Sequence, residues 1–439
     1  MRKRRIVRTD GRLAGWQYCL IVMIVLVGFF LIWIILTPLT LQLMVSKYVN
    51  EITGMLTIIN VVSVIIALFS YYTRPLAPNF KIKKMRFGQK RIVSAILRRF
   101  TDTLIIYNLK LAIKTNIGYE MPAIYAYVKP DRMSGFIAIE NMGGKIANLD
   151  ADNSSSGLSG VLATRRLRKY TFTSQELSED GNFYIYYFED TTTSHRLTVK
   201  NKNVKPFVSE NKHILRLAEN LSWDSSSTAH MSVIGRTRSG KSVFADYLCT
   251  LATLQGWKVE FNSIKHDIYV DEFHGQFEPE KIIERVEYWL KIMDQRNAEI
   301  LKAGKSKYYE IDLPDVLVVI DEIGNLNGYL ADNRTLKTRW TSAVNRLTAT
   351  GASAGIHVLA MSQMGTKEAF LPSAARANCS DAVIMLGLAA DSGDERRYMM
   401  PGFELPHRTY GTGQGLARLV TAGKMWEQPH FYETPYYTR

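Results

Sequence analysis

At 439 residues the chain is long enough for two soluble domains with further segments attached. Its three cysteines, Cys19, Cys249 and Cys379, are far apart and lack metal-ligand spacing, which argues against a disulfide framework or a zinc site and suits a reducing cytoplasm. A formal net charge of +14 favours an anionic partner, either nucleic acid or a membrane surface.

Residues 1–80 read as a membrane anchor. Arg2, Lys3, Arg4, Arg5, Arg8 and Arg12 precede an apolar run over 16–36, and a second run over 55–72 is followed by Arg74, Lys81, Lys83, Lys84 and Arg86. Both runs approach the ~20 residues a helix needs to cross a bilayer. The connecting segment holds only Lys47 and Glu51. The positive-inside rule then predicts a two-helix hairpin in the cell membrane, with the N-terminus and everything after residue 80 in the cytoplasm. A cleaved signal peptide is the rival for the first run, but no small-residue cleavage site follows it, and the second run would remain. Asn60 and Ser63 are expected at helix–helix contacts.

Residues 81–210 are expected to form a basic linker and a small β-rich or α+β domain. A short helix is predicted over 92–100, and the linker's cations suit lipid headgroups as well as DNA. Partial alternation marks strands over 110–115, 123–128, 136–140, 183–188 and 196–200. The stretch 150–157 is a loop by composition. Arg165, Arg166, Arg168 and Lys169 form a basic cluster, equally suited to a solvated face and to nucleic-acid contact.

Residues 211–439 carry the recognisable chemistry. A short apolar strand over 232–235 runs into Gly235-Arg236-Thr237-Arg238-Ser239-Gly240-Lys241-Ser242 and then into a helix over 241–254. This is a phosphate-binding P-loop in its required strand–loop–helix context. Gly235 and Gly240 are expected to take positive φ and bring backbone N–H groups close to a polyphosphate. Lys241 would contact the β- and γ-phosphates of ATP, and the Ser242 hydroxyl would take a Mg²⁺ position. A strand over 258–262 follows, then an amphipathic helix over 279–302. Its apolar stripe, Ile282, Ile283, Val286, Trp289, Leu290 and Met293, is expected to be core packing.

The run Asp315-Val316-Leu317-Val318-Val319-Ile320-Asp321-Glu322 has the continuous β-branched character of a strand buried on both faces of a parallel sheet. It ends in two carboxylates, at the edge of such sheets where ligands bind. Asp321 would hold Mg²⁺ opposite Ser242, and Glu322 would activate the attacking water. A further apolar strand ends at Gln363, where the amide can meet the γ-phosphate or that water. Alternating strands and helices predict an α/β P-loop NTPase, RecA-like, with a mostly parallel sheet.

Taken together, these motifs resemble the FtsK/SpoIIIE-type translocases of the HerA/FtsK group over most of 211–420. The P-loop matches their Gly-x-Thr-x-Ser-Gly-Lys-Ser. Met293-Asp294-Gln295-Arg296 echoes their Glu-Met-x-x-Arg, and Asp321-Glu322 with Leu326 matches their Walker B. Gly355-Ile356-His357 with Gln363, and Arg376-Ala377-Asn378, are also similar. Two elements depart from the pattern: Ser263-Ile264-Lys265 replaces an Asp-Pro-Lys, and Ala352-Ser353-Ala354 replaces the Arg before Gly-Ile-His. An arginine finger would therefore come from elsewhere, with Arg346, Arg376, Arg396 and Arg397 as unranked candidates.

The two-span anchor before one motor resembles the coupling proteins of Gram-positive conjugative elements. The resemblance implies an ATP-dependent DNA translocase, with ATP and Mg²⁺ bound at subunit interfaces of a homo-hexameric ring. It also implies a relaxase or relaxosome and transfer-channel proteins as partners. A secretion ATPase acting on protein, a chromosome-partition translocase and a weakly active nucleotide-dependent anchor are the alternatives; the winged-helix domain expected of the chromosome-segregating members does not follow the motor. The segment Arg334-Thr335-Leu336-Lys337-Thr338-Arg339-Trp340, with Arg346 beyond it, is expected either to grip a phosphate backbone or to be a solvated helix face.

Overall fold

The computed structural model describes residues 15–41, 46–72, 84–111, 113–115, 118–120, 122–141, 155–162, 164, 166–403 and 408–438. The basic N-terminal flank (Arg2 to Arg12), Arg74, Lys81, Lys83, positions 150–154 and Arg165 lie outside the described residues. Two compact units result, with the boundary between Asp190 and Thr191. The expected strand over 196–200 therefore belongs to the second unit, where Thr198–Lys200 pairs in parallel with Tyr436–Thr438. That unit begins at Thr191 rather than at 211.

In the first unit, Gly15–Leu41 and Ser46–Tyr72 are both long, apolar helices. Each contains a stretch long and apolar enough to cross a membrane, Gln17–Thr37 and Tyr48–Tyr72. They lie side by side and antiparallel: Trp33 Nε1 donates to Thr53 Oγ1 at 2.9 Å, and Ser70 Oγ lies 3.6 Å from Cys19 Sγ. Asn60 is 8% exposed, and Asn60 and Ser63 each bond to a carbonyl of their own helix, at Leu56 and Asn60.

The rest of that unit is α+β. A helix over Phe87–Arg99, starting earlier than its apolar residues suggest, packs on a four-stranded antiparallel sheet. The strands are Ile124–Val128, Ser134–Glu140, Phe183–Asp190 and Tyr170–Leu177, in that spatial order. Val93, Ile96, Leu97 and Phe100 cover the inward face of Ile124, Ala126, Val128, Ile137 and Ile139. Gln89 closes the contact by donating to the Val128 carbonyl at 2.5 Å.

The second unit is a seven-stranded sheet. Its spatial order is Lys258–Ser263, Val316–Asp321, Ile356–Ser362, Met231–Gly235, Ala382–Leu386, Gln414–Leu419 and His430–Glu433. The first five are parallel and the last two antiparallel. Alternate residues feed two cores. Val316, Val318 and Ile320 face the helices Pro279–Lys302 and Arg334–Thr350, while Leu317 and Val319 face the helix Lys241–Leu254. Burial on both faces is why the run over 316–320 is apolar throughout. The stripe from Ile282 to Met293 is core, as its spacing predicts.

Candidate active site

Register brings the chemistry to one edge. Ile234 pairs with Ser362, Gly235 with Leu386, and Ser263 with Asp321, so the ends that carry the P-loop, the two carboxylates and Gln363 share the carboxyl edge of the parallel strands.

Gly240 opens the helix Lys241–Leu254 with φ +105, a conformation open to glycine at little cost. A Cβ there would also meet Gly413 Cα at 3.0 Å. Gly235 does not take positive φ; its need is space, because a Cβ would run into the Ser239 side chain. Arg238 supplies the other left-handed residue of the loop, at φ +66. Ser239 Oγ is buried without a partner, whereas Ser242 is exposed at the helix start. Thr237 Oγ1 donates to Gln363 Oε1 at 3.4 Å.

Lys241 is 8% exposed and donates from Nζ to the Gly235 carbonyl at 2.5 Å. Burial pulls its pKa down, opposed by the charges of Asp321 and Glu322. Burial likewise pushes Asp321 up to about 6, with the Glu322 charge adding to it and the Glu322 N–H, donated to Asp321 Oδ1 at 2.8 Å, opposing it. A buried cation and a buried carboxyl, each displaced toward its neutral form, are suited to an anion and a metal ion respectively. Glu322 sits at φ +53, strained for a side chain of its kind, as the first cap of Ile323–Leu330. Its carboxylate accepts from Gln363 Nε2 at 3.0 Å and Asn325 Nδ2 at 3.1 Å. Gln363 thus meets Glu322 as well as the P-loop.

Several motif residues have other work. Arg236 turns away from the loop: it donates to the Gln363 carbonyl at 3.0 Å and pairs with Glu395, a carboxylate 2% exposed that also accepts the Gly365 N–H at 2.8 Å. Arg296 braces the carbonyls of Pro314 and Ala354 at 2.9 and 2.8 Å. His357 lies at the opposite end of its strand, 2.9 Å from the buried Asp315, which Tyr308 and Ser225 also contact. Among the finger candidates, Arg396 is buried and donates to the Ala390 carbonyl at 2.9 Å, which removes it from any exposed role. Arg346 lies 3.4 Å from Asp294, and Arg376 over Tyr398. Arg397 is exposed.

The segment 334–340 is a helix throughout, and its one aromatic is not available to a ligand: Trp340 is 1% exposed and belongs to the core. Arg339 makes a two-pronged pair with Glu287, at 2.9 and 2.7 Å. Only Arg334 and Lys337 of its cations are exposed.

One element of the site went unread in the sequence. The run Gly411-Thr412-Gly413-Gln414-Gly415 buttresses the P-loop, with the Gly413 N–H donating to the Ser239 carbonyl at 2.8 Å. Arg196 holds that loop from behind through the carbonyls of Thr434 and Thr412. The alternating glycines were a visible signal.

The fold is shared with the conjugation coupling protein TcpA of pCW3, solved in its monomer form with ATPγS: 14% identity and a TM-score of 0.50, over 77% of this chain and 95% of that one. This likeness agrees with the α/β fold and mostly parallel sheet expected from the sequence. The cytoplasmic domain of the Thermomonospora curvata type VII secretion ATPase EccC gives 16% and 0.40, over 53% of this chain and 30% of that one. EssC (ATPases 2 and 3) from Geobacillus thermodenitrificans gives 13% and 0.41, over 56% and 47%. No protein-family model and no curated protein sequence matches.

Proposed function

We propose that the chain is a membrane-anchored ATPase that moves DNA, acting as a coupling protein at a conjugative transfer channel. The observation that carries the ATPase reading is the meeting of Lys241, Asp321, Glu322 and Gln363 at one strand edge beside the P-loop. The site suits Mg²⁺–ATP: Ser239 Oγ is buried and unpartnered in the P-loop, and the buried Lys241 and Asp321 beside it are each displaced toward the neutral form. When bound, that group supplies a phosphoanhydride whose hydrolysis releases free energy for movement.

In this reading Lys241 leaves the Gly235 carbonyl to bind the phosphates, and the P-loop N–H groups cradle them. Ser242 and Asp321 hold the metal. Glu322 accepts a proton from water, and Gln363, bonded to its carboxylate, fixes its direction. The anchor is the hairpin Gly15–Leu41 and Ser46–Tyr72, with the second unit in the cytoplasm. The cargo assignment is supported by the net charge of +14 and by the shared fold with a conjugation coupling protein over 95% of that protein's length. A ring of six copies, fed by relaxase-bound DNA, completes the proposal.

ATP hydrolysis by the full chain in detergent tests it. DNA should stimulate turnover, unfolded protein should not, and Lys241→Ala should abolish nucleotide binding in a folded protein. Stimulation by unfolded protein without any response to DNA would make the cargo a polypeptide.

A further inference from the structure

The first unit contains a cavity of about 220 Å³ on the helix Phe87–Arg99. Three arginines, Arg91, Arg132 and Arg166, line it together with the apolar residues Ile92, Ala95 and Leu167. The three come from separate places: the helix, the tight turn between Ile124–Val128 and Ser134–Glu140, and the turn leading into Tyr170–Leu177. Gly88 makes the arrangement possible, since a Cβ there would stand 3.3 Å from Arg132 Nη1. The turn is itself held in place, because Tyr170 donates its hydroxyl to the Arg132 carbonyl at 2.7 Å.

None of the three has a carboxylate partner among the described residues. Five other arginines do: Arg99 with Asp102, Arg236 with Glu395, Arg285 with Glu260, Arg339 with Glu287 and Arg346 with Asp294. Guanidinium forks match phosphate oxygens in pairs, and the apolar lining residues suit carbon attached to that phosphate.

We propose that this cavity binds the phosphate of an anionic phospholipid headgroup, such as phosphatidylglycerol. The membrane source follows from chain length. Only residues 73–86 separate Tyr72, the last residue of the second apolar helix, from Phe87, which opens the helix lining the cavity; that is fourteen residues (86 − 72), a reach of at most about 50 Å. Anionic headgroups are therefore the most concentrated phosphates within range of the site, and cations this close to a bilayer are drawn to them. The choice of lipid over nucleic acid rests on the anchor proposed above.

The test uses the full chain in neutral detergent with water-soluble dihexanoyl lipids, so that binding does not depend on bilayer insertion. Dihexanoyl-phosphatidylglycerol should slow amide hydrogen exchange over 87–99, and dihexanoyl-phosphatidylcholine should not. Arg91→Gln with Arg132→Gln should weaken that effect at least about tenfold, the order expected for losing charge-assisted hydrogen bonds. Arg98→Gln, on the same helix but outside the cavity, should leave it unchanged. Equal loss in Arg98→Gln would reduce the effect to general charge and overturn the site. Competition by inorganic phosphate as strong as by the lipid would assign the cavity to a free phosphate and overturn the lipid. Protection by an oligonucleotide with none by the lipid would assign it to nucleic acid. Alkaline carbonate extraction reports the anchor separately: release of the chain from membranes would refute the anchor while leaving the lipid-binding result to be read by itself.

Discussion

Burial holds the Asp321 carboxyl near pH 6, and the consequence is a stability the apoprotein forgoes. A carboxyl whose folded pKa is raised binds its proton more tightly folded than unfolded, so stability falls as pH rises from the ordinary 3.8 through about 6. The gap is worth about 3 kcal/mol. Asp321→Asn, which keeps the oxygen that accepts the Glu322 N–H, should therefore stabilise the apoprotein at pH 7.5 by up to about 3 kcal/mol while destroying activity. Denaturant melts from pH 7.5 down to 4 should show that advantage vanish; an advantage constant with pH would disprove the linkage. Glu322→Gln asks a different question of the neighbouring residue. It should leave nucleotide affinity intact and cut turnover by about 10²–10⁴-fold, as loss of a general base does. Equal loss of affinity and turnover would make Glu322 a metal or framework residue.

At the scale of elements, the helix Arg334–Thr350 shows how far a sequence pattern carries. Its cations and tryptophan read as a grip on DNA because neighbours in sequence are visible and neighbours in space are not. Glu287, which engages Arg339, lies on another helix, and the apolar residues that bury Trp340 come from other elements on the same face of the sheet. Trp340→Ala should cost about 3–5 kcal/mol of unfolding free energy, and Arg339→Ala less than about 1, since its pair with Glu287 is partly exposed. Lys337→Ala should flatten the log–log salt dependence of DNA binding by about 0.7–0.9, with Arg339→Ala leaving it unchanged; the opposite ranking would restore Arg339 as the track contact. The same asymmetry governs the site. The P-loop and the Asp321-Glu322 pair were legible because their chemistry is contiguous. The Arg236–Glu395 pair, 159 residues apart, and the Gly413 buttress were not, since only the closed sheet brings them together. The strand Tyr170–Leu177 escaped notice beside the basic cluster that precedes it, although Tyr170 and Phe172 point inward at period two.

At the scale of the whole molecule, the second apolar helix returns along the first. The contacts Trp33–Thr53 and Cys19–Ser70 lie near opposite ends of the pair, which only an antiparallel arrangement allows. The outer ends of the hairpin must then lie on one side, and the basic residues before Gly15 and after Tyr72 select the cytoplasmic side. In the proposed topology the segment joining the helices faces outside the cell, where an impermeant thiol reagent can find it. Cys249 and Cys379 give little background: both are fully buried, and burial pushes each thiol well above its usual range, where the reactive thiolate is scarce. With Cys19→Ala removing the remaining thiol, Lys47→Cys should react in intact cells, and Arg8→Cys only after lysis. Reaction at position 8 and none at position 47 in intact cells would invert the hairpin and place the ATPase unit outside, away from its nucleotide. Reaction at both would make the second helix the sole span, and the antiparallel pair would not exist in the membrane.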